Sequence, residues 1–227
     1  DLISTIDELL SSTDSRKDTG RPRLPVDRVF TIAGSGTVVT GTLTDGSLSM
    51  GQDVEIVPTG LKSRIRGLQT HKARLDAVTS GSRVAVNLVG IATSQLQRGD
   101  VVTKPGCLTP TMMLSARLRL LPHLRRPLPH NATVSFHTGA AETMAKVRFL
   151  ETDKLEPGDT AWAQLVLTKP VALVKGDHFI IRSTMDTLGG GRVVDSQTKR
   201  FRRFRSAIID SLIVKEEGTS EEVIMTL

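Results

Sequence analysis

The chain has 227 residues, a hydrophobic fraction of 38% and a formal net charge of +6 at pH 7. This length accommodates one large or two ordinary domains with real cores, and the composition excludes a disordered chain. The basic balance permits a polyanionic partner such as RNA without establishing one. The single cysteine, Cys107, excludes an internal disulfide and a cysteine metal cluster, and no signal sequence or long apolar span is present.

The first 23 residues indicate a short helix followed by a linker. Residues 1–10 place four apolar side chains on one helical stripe, with acidic residues opposite. Residues 11–23 are polar and contain glycine and proline, which is typical of a linker. Because the stripe has no partner in an otherwise all-β chain, we expect residues 1–23 to be the end of a preceding domain and its linker.

Residues 24–106 indicate a series of short β-strands. Two runs rich in β-branched residues, 26–32 and 37–43, flank a turn whose glycines tolerate positive φ, which predicts a hairpin. Further along, residues 83–88 alternate strictly between polar or small and large apolar side chains. Many short strands without helices predict a closed antiparallel barrel.

Residues 107–200 repeat this pattern and predict a second barrel. The segment contains a proline-rich loop at 122–131 and later the run Gly189-Gly190-Gly191. We therefore predict an all-β fold of two consecutive antiparallel barrels, with short helices only at the chain ends. Residues 201–227 indicate a basic linker and the start of a C-terminal helical (winged-helix) region, with a candidate capping box at Thr219 and Glu222.

Several of these segments resemble one protein family. The hairpin DRVFTIAGSGTVVTGTL, residues 27–43, resembles the opening of the second domain of the elongation factor Tu-like translational GTPases, especially the selenocysteine-specific elongation factors, the SelB family. Residues 137–142 and 189–195 resemble that family's third domain. The resemblance covers roughly residues 24–200, and it implies two barrel domains without the GTPase domain.

The resemblance also implies a binding site. In this family an Asp and an Arg at the positions of Asp27 and Arg28, with an Arg at that of Arg83, are implicated in holding the selenocysteinyl group. From the residues alone, Asp27 and Arg28 face opposite sides of a strand unless it twists or bulges, and a surface ion pair is the alternative. His71 is a further candidate for the same cleft, although a solvated loop histidine is the alternative.

Two basic stretches are candidates for contacting the body of a tRNA. They contribute the following residues: Arg125, Arg126, Lys199, Arg200, Arg202 and Arg203. Basic side chains neutralise phosphates, and the interleaved phenylalanines can stack on bases. The alternative for these phenylalanines is a packing role at the start of a helix.

No Gly-x-x-x-x-Gly-Lys-[Ser/Thr] sequence occurs, so we predict that this chain is not itself an enzyme and holds no cofactor. The resemblance implies a full-length parent that uses GTP and Mg. It implies that this chain is the aminoacyl-tRNA-binding portion of a factor that delivers selenocysteinyl-tRNA to the ribosome at recoded UGA codons.

Further expectations concern the setting of the protein. The resemblance implies a selenoprotein mRNA hairpin as another partner, bound through C-terminal domains that this chain lacks. We expect a cytoplasmic monomer without membrane contact, and the histidines show no metal-ligand spacing. The alternative function is that of the barrel domains of another elongation factor Tu-like GTPase, such as a sulfate adenylyltransferase GTPase subunit or a general elongation factor.

Overall fold

A computed structural model of the chain describes residues 1–12, 18–34, 36–71 and 73–217. The elements before the midpoint are α1 (Leu2–Ser11), β1 (Arg23–Ile32), β2 (Gly36–Thr42), β3 (Ser47–Ser49), β4 (Asp53–Val57), β5 (Leu61–Thr70), β6 (Ala73–Leu75), β7 (Ala77–Thr79), β8 (Arg83–Leu88) and β9 (Val101–Thr103). The later elements are β10 (Pro110–Leu120), β11 (Leu128–Pro129), β12 (Thr133–Thr138), β13 (Ala141–Phe149), β14 (Lys154–Leu155), β15 (Thr160–Ala172), β16 (His178–Arg182), β17 (Thr187–Asp195) and α2 (Ser206–Glu217).

The strands form two closed antiparallel barrels of six strands each. In the first barrel the order is β4-β9-β1-β2-β8-β5, and β5 pairs back with β4. In the second barrel the order is β10-β15-β13-β12-β16-β17, and β17 pairs with β10. The predicted all-β fold with helices at the chain ends is therefore confirmed, and a 3-10 turn at Thr93–Gln95 is the addition within the first barrel.

The alternation seen in the sequence produces the barrel cores. In β8, Val84, Val86 and Leu88 are at most 2% exposed and point inward. The triple glycine of β17 has a different role, because a Cβ atom at Gly191 would lie 2.0 Å from the carbonyl oxygen of Arg117 on β10. Only glycine allows β17 to approach its neighbours this closely and complete the second barrel.

The two barrels pack directly against each other. Nη1 of Arg23, at the start of β1, donates to both carboxylate oxygens of Asp177, at 2.9 and 2.7 Å. Gly99 lies against Ala141 at the tip of the β12–β13 hairpin, where an added Cβ would come within 2.7 Å of the Ala141 Cα atom. An apolar cluster of Val57, Val101 and Leu108 with Ala172 and Val174 joins the barrels.

The segment after β17, which we name the arm (residues 196–217), is attached to the outside of the second barrel. Leu212 of α2 is 1% exposed and packs with Trp162 and Val194. Lys215 donates to Asp195 at 2.5 Å. Before the helix, the fully buried amide of Gln164 donates to the Lys199 carbonyl oxygen at 2.8 Å and accepts from the Phe201 N–H at 3.0 Å.

At the other end of the chain, α1 exposes its whole apolar stripe: Leu2, Ile3, Ile6, Leu9 and Leu10 are each at least 45% exposed. No helix of the described residues is long and apolar enough to cross a membrane. The candidate capping box at Thr219 and Glu222 lies outside the described residues.

Candidate functional site

A bulge in the first hairpin brings Asp27 and Arg28 to the same face. Val26 pairs with Gly41 and Arg28 pairs with Thr40, so Asp27 is an extra residue without a partner across the strand. The Thr40 hydroxyl, directly opposite Arg28, donates to Oδ1 of Asp27 at 2.7 Å. Neighbouring residues of a regular strand would face opposite sides, and the bulge removes this obstacle.

The sequence around the bulge makes it structurally feasible. A Cβ atom at Gly41 would lie 2.1 Å from the carbonyl oxygen of Pro25, so β1 crosses β2 at a distance that only glycine permits. Gly41, the glycine of the Val-Val-Thr-Gly-Thr run, therefore allows the close approach of β1 and β2 beside the bulge at Asp27.

Arg83, the first residue of β8, completes the cluster. Its Nη1 donates to Oδ2 of Asp27 at 2.5 Å, and the two side chains are 54% and 28% exposed. Burial opposes ionisation of Asp27. The hydrogen bonds from Arg83 and Thr40 and the charges of Arg83 and Arg28 outweigh it, so the pKa of Asp27 is lowered. The hydrogen bond and charge of Asp27 raise the pKa of Arg83 in turn.

The cluster carries an excess positive charge. Asp27 is ionised at neutral pH because its pKa is lowered, and it neutralises one of the two arginines. Among the described residues, no carboxylate forms a salt bridge with Arg28. A pair of guanidinium groups with one carboxylate favours an anionic ligand group over a neutral one.

A cleft of about 250 Å³ lies beside the cluster. Arg83 and Thr40 line it together with Gln69, Thr70 and His71. His71 occupies the turn after β5 with φ of +47°, and its Nδ1 lies 3.2 Å from the hydroxyl oxygen of Thr70. Because Thr70 also donates to the Arg83 carbonyl oxygen at 2.7 Å, His71 and Arg83 are held at the same cleft.

A larger cavity of about 640 Å³ adjoins this cleft and shares Gln69 and Ala85 with it. Its lining includes three apolar side chains that are at least 37% exposed: Ile32, Met50 and Leu75. The same cavity is also lined by Arg66, Arg74 and Asp76, so the part of the groove beyond the cluster presents both charged and apolar side chains. The sequence pattern did not identify Thr40, Gln69 and Thr70 as residues of the cleft. Thr40 pairs with Arg28 across the hairpin, so the alternation of side chains along β2 would have indicated the face on which Thr40 lies.

The candidate tRNA contacts divide into exposed and engaged residues. Arg125, Arg126, Lys199, Arg200 and Arg202 are exposed. Arg203, in contrast, has a structural role. Its Nε donates to the Phe149 carbonyl oxygen at 2.8 Å, and its Nη2 donates to the Thr152 carbonyl oxygen and to Asp153, both at 2.6 Å.

Two further findings bear on these residues. Phe201 is half-buried and packs in the cluster around Trp162, as the packing alternative expected, whereas Phe204 is 60% exposed. In the described part of the chain, no group of three or more His, Cys, Asp or Glu side chains has the arrangement of a metal site. The roles of all these residues toward a tRNA remain predictions.

Comparisons with known proteins agree with the two-barrel architecture. Residues 36–103 match the family model described as elongation factor Tu domain 2, and residues 115–200 match the model described as the β-barrel domain of the selenocysteine-specific elongation factor. A selenocysteine-specific elongation factor from Desulfomicrobium baculatum is 42% identical over 221 residues, which is 95% of this chain and 34% of that protein. The chain thus spans about a third of its relative's length. On this evidence the two barrels belong to the SelB family of elongation factor Tu-like translation factors.

Proposed function

We propose that this chain is the aminoacyl-tRNA-binding part of a selenocysteine-specific elongation factor that delivers selenocysteinyl-tRNA to the ribosome. The observation that supports the proposal is the cluster of Asp27, Arg28 and Arg83, which has an excess positive charge and in which Arg83 lines the cleft. This is the chemistry that distinguishes a selenolate from the other small side chains.

Charge provides the discrimination. A selenol is more acidic than a thiol, whose pKa is about 8.5, so a selenocysteinyl group is mostly anionic at neutral pH whereas a seryl group is neutral. A neutral ligand would leave Arg28 without an anionic partner in the site, and an unpaired charged group of this kind disfavours binding by about 1–3 kcal/mol. Asp27 holds Arg83 in place and can accept a hydrogen bond from the aminoacyl ammonium.

The same proposal includes the other domains of the complete factor. The relative from Desulfomicrobium baculatum is much longer than this chain, and the apolar stripe of α1 is exposed. We propose a complete factor in which α1 packs on a GTPase domain that uses GTP and Mg. In that factor further C-terminal domains contact a selenoprotein mRNA hairpin, and the factor acts as a cytoplasmic monomer.

Competition binding with two charged tRNAs tests the site assignment. In the complete, GTP-loaded factor, Arg28→Met or Arg83→Met should weaken binding of selenocysteinyl-tRNA about ten- to a hundredfold. Binding of seryl-tRNA should hardly change, because phosphate contacts elsewhere hold both tRNAs equally.

The chain offers a matched control in Arg64, which forms an exposed salt bridge with Asp53 at 2.8 Å on the same barrel but outside the cleft. Arg64→Met should leave the ratio of the two affinities unchanged. Equal losses for both tRNAs in the Arg28 and Arg83 variants would mean that these arginines serve the tRNA backbone or the fold, and the assignment would be wrong.

A further inference from the structure

The ion pair between Asp27 and Arg83 crosses a strand of the first barrel. Asp27 lies on β1 and Arg83 on β8, and β2 separates these two strands. Because neighbouring strands lie about 4.8 Å apart, the backbones that carry the two charges are about 10 Å apart. Both side chains extend toward each other over β2 to form the 2.5 Å hydrogen bond between Nη1 of Arg83 and Oδ2 of Asp27. The orientation of the short Asp27 side chain therefore decides whether this ion pair forms.

Thr40 lies on β2, the strand that the ion pair crosses. It is half-buried, and its hydroxyl donates to Oδ1 of Asp27 at 2.7 Å. Each carboxylate oxygen of Asp27 thus has a donor of its own, Thr40 for Oδ1 and Arg83 for Oδ2. Hydrogen bonds are directional, so two donors on two different strands fix both the position and the rotation of the carboxylate.

Arg28 lies beside the Thr40 hydroxyl, on the face of the sheet that forms the cleft. Arg28 pairs with Thr40 across the hairpin. In the next two strands Thr40 pairs with Ala85, and Ala85 pairs with Gln69. Residues directly opposite each other in neighbouring strands share a face, so these four residues lie in one row on the same side. Because Thr40, Ala85 and Gln69 line the cleft, Arg28 is on the cleft face as well.

Arg28 and Arg83 are therefore two guanidinium groups beside one carboxylate. Among the described residues Arg83 forms a salt bridge with Asp27, and Arg28 forms none. Burial raises the pKa of Asp27, and the hydrogen bonds of Arg83 and Thr40 together with the charges of Arg83 and Arg28 lower it further than burial raises it. The charge of Arg28 thus acts on Asp27, although both oxygens of Asp27 already have other donors.

We propose that Thr40 is a positioning residue, which keeps Arg28 available for the ligand by occupying Oδ1 of Asp27. This inference rests on the proposed function, in which Arg28 binds the anionic aminoacyl side chain. Without the Thr40 hydroxyl, Oδ1 loses its donor, and the guanidinium of Arg28 on the same face takes its place. The new ion pair neutralises Arg28, so the cluster discriminates less strongly between an anionic and a neutral ligand group.

Thr40→Val tests this inference, because valine keeps the β-branched shape of threonine and removes the hydroxyl. Competition between selenocysteinyl-tRNA and seryl-tRNA for the complete, GTP-loaded factor measures the ratio of the two affinities. Thr40→Val should lower this ratio about three- to thirtyfold, with little change in the affinity for seryl-tRNA. Thr40→Ser keeps the hydroxyl and should restore the ratio to within about threefold of its original value.

The matched control is Thr79→Val, which makes the same change at an exposed position of β7 outside the cleft. It should leave the ratio of affinities unchanged. Circular dichroism and thermal melts verify that each variant folds.

A second measurement needs no tRNA and follows the carboxyl of Asp27 by NMR titration of the 227-residue chain. Arg28→Met removes a nearby positive charge, so it should raise the pKa of Asp27 slightly. In the Thr40→Val background the same substitution should raise this pKa more, because Arg28 has there become the hydrogen-bond donor to Oδ1. The excess of the second effect over the first measures the exchange of partners.

The outcomes separate this inference from the proposed function. If Arg28→Met lowers the ratio of affinities and Thr40→Val does not, the inference is wrong and the proposed function stands. If both variants leave the ratio unchanged, the proposed function fails and the inference fails with it. Equal losses of both tRNAs in Thr40→Val would mean that the hydroxyl serves the fold. Equal effects of Arg28→Met on the pKa of Asp27 in the two backgrounds would show that Arg28 does not replace Thr40, which also overturns the inference.

Discussion

Replacing Gln164 with methionine should release the arm from the second barrel. Gln164 is fully buried, and the shortest three of its side-chain hydrogen bonds join it to the Arg148 guanidinium at 3.1 Å, the Phe201 N–H at 3.0 Å and the Lys199 carbonyl oxygen at 2.8 Å. Methionine has similar volume and bonds to none of them. With about 1 kcal/mol for each of the two backbone groups and about 1.5–3 kcal/mol for the charged one, the free energy of unfolding should fall by about 3.5–5 kcal/mol.

Guanidinium chloride denaturation measures this loss, and limited trypsin digestion reports on the arm. Cleavage within residues 199–205 should accelerate in Gln164→Met. Gln69→Met makes the same change at an exposed position of β5 and should alter stability by less than about 0.5 kcal/mol. The double variant Gln164→Met/Arg148→Met should be less destabilised than the sum of the single variants, because it removes both the charge and its partner. A loss below about 1 kcal/mol with an unchanged digestion pattern would refute the reasoning.

Two further predictions concern stability. Gly191→Ala should prevent folding or destabilise the protein by more than about 3 kcal/mol, because its Cβ would lie 2.0 Å from a backbone oxygen. Gly67→Ala should not destabilise the protein, because no atom lies within 4 Å of the added Cβ. Denaturation midpoints of the two variants measure this difference. Asp27 and Asp100 should show opposite pH dependences in thermal melts. Asp27 has a lowered pKa, so its contribution is present above its ordinary value of 3.8 and is lost as pH falls through the folded-state pKa; the destabilisation by Asp27→Asn at pH 7 should therefore shrink below about pH 4. Burial of Asp100 outweighs its hydrogen bonds with Gln97 and raises the pKa of its carboxyl, so ionisation of Asp100 opposes folding. Asp100→Asn should therefore stabilise the protein increasingly as the pH rises above the ordinary Asp pKa of 3.8. Destabilisation by Asp100→Asn at pH 7 would contradict this assignment.

Local periodicity was sufficient to predict the barrels and the second helix. The strict alternation of residues 83–88 corresponds to β8, and the helical spacing of apolar residues after Arg205 corresponds to α2. These patterns report the burial of each side chain, which is a local consequence of the strand or helix period.

The site geometry depends on contacts that no local pattern contains. The bulge at Asp27 depends on the close crossing of β1 and β2 at Gly41, and a period of two predicts opposite faces for Asp27 and Arg28. In the basic run 199–205, nothing in the residue types separates Arg203 from Arg200. Arg203 differs from Arg200 because it hydrogen-bonds to the carbonyl oxygens of Phe149 and Thr152. These partners lie about fifty positions earlier in the chain, so the local pattern does not contain them.

The strand β1 also couples the two barrels mechanically. Its first residue, Arg23, forms a salt bridge with Asp177 of the second barrel, and Asp27 of the charged cluster follows four residues later, about 13 Å along the same strand. If the second barrel tilts while the Arg23–Asp177 salt bridge stays intact, β1 and the Asp27 carboxylate that positions Arg83 move with it. The strand β1 therefore links the interface between the barrels to the cluster by continuous backbone, beside the interface contacts of Gly99 with Ala141 and of the apolar cluster.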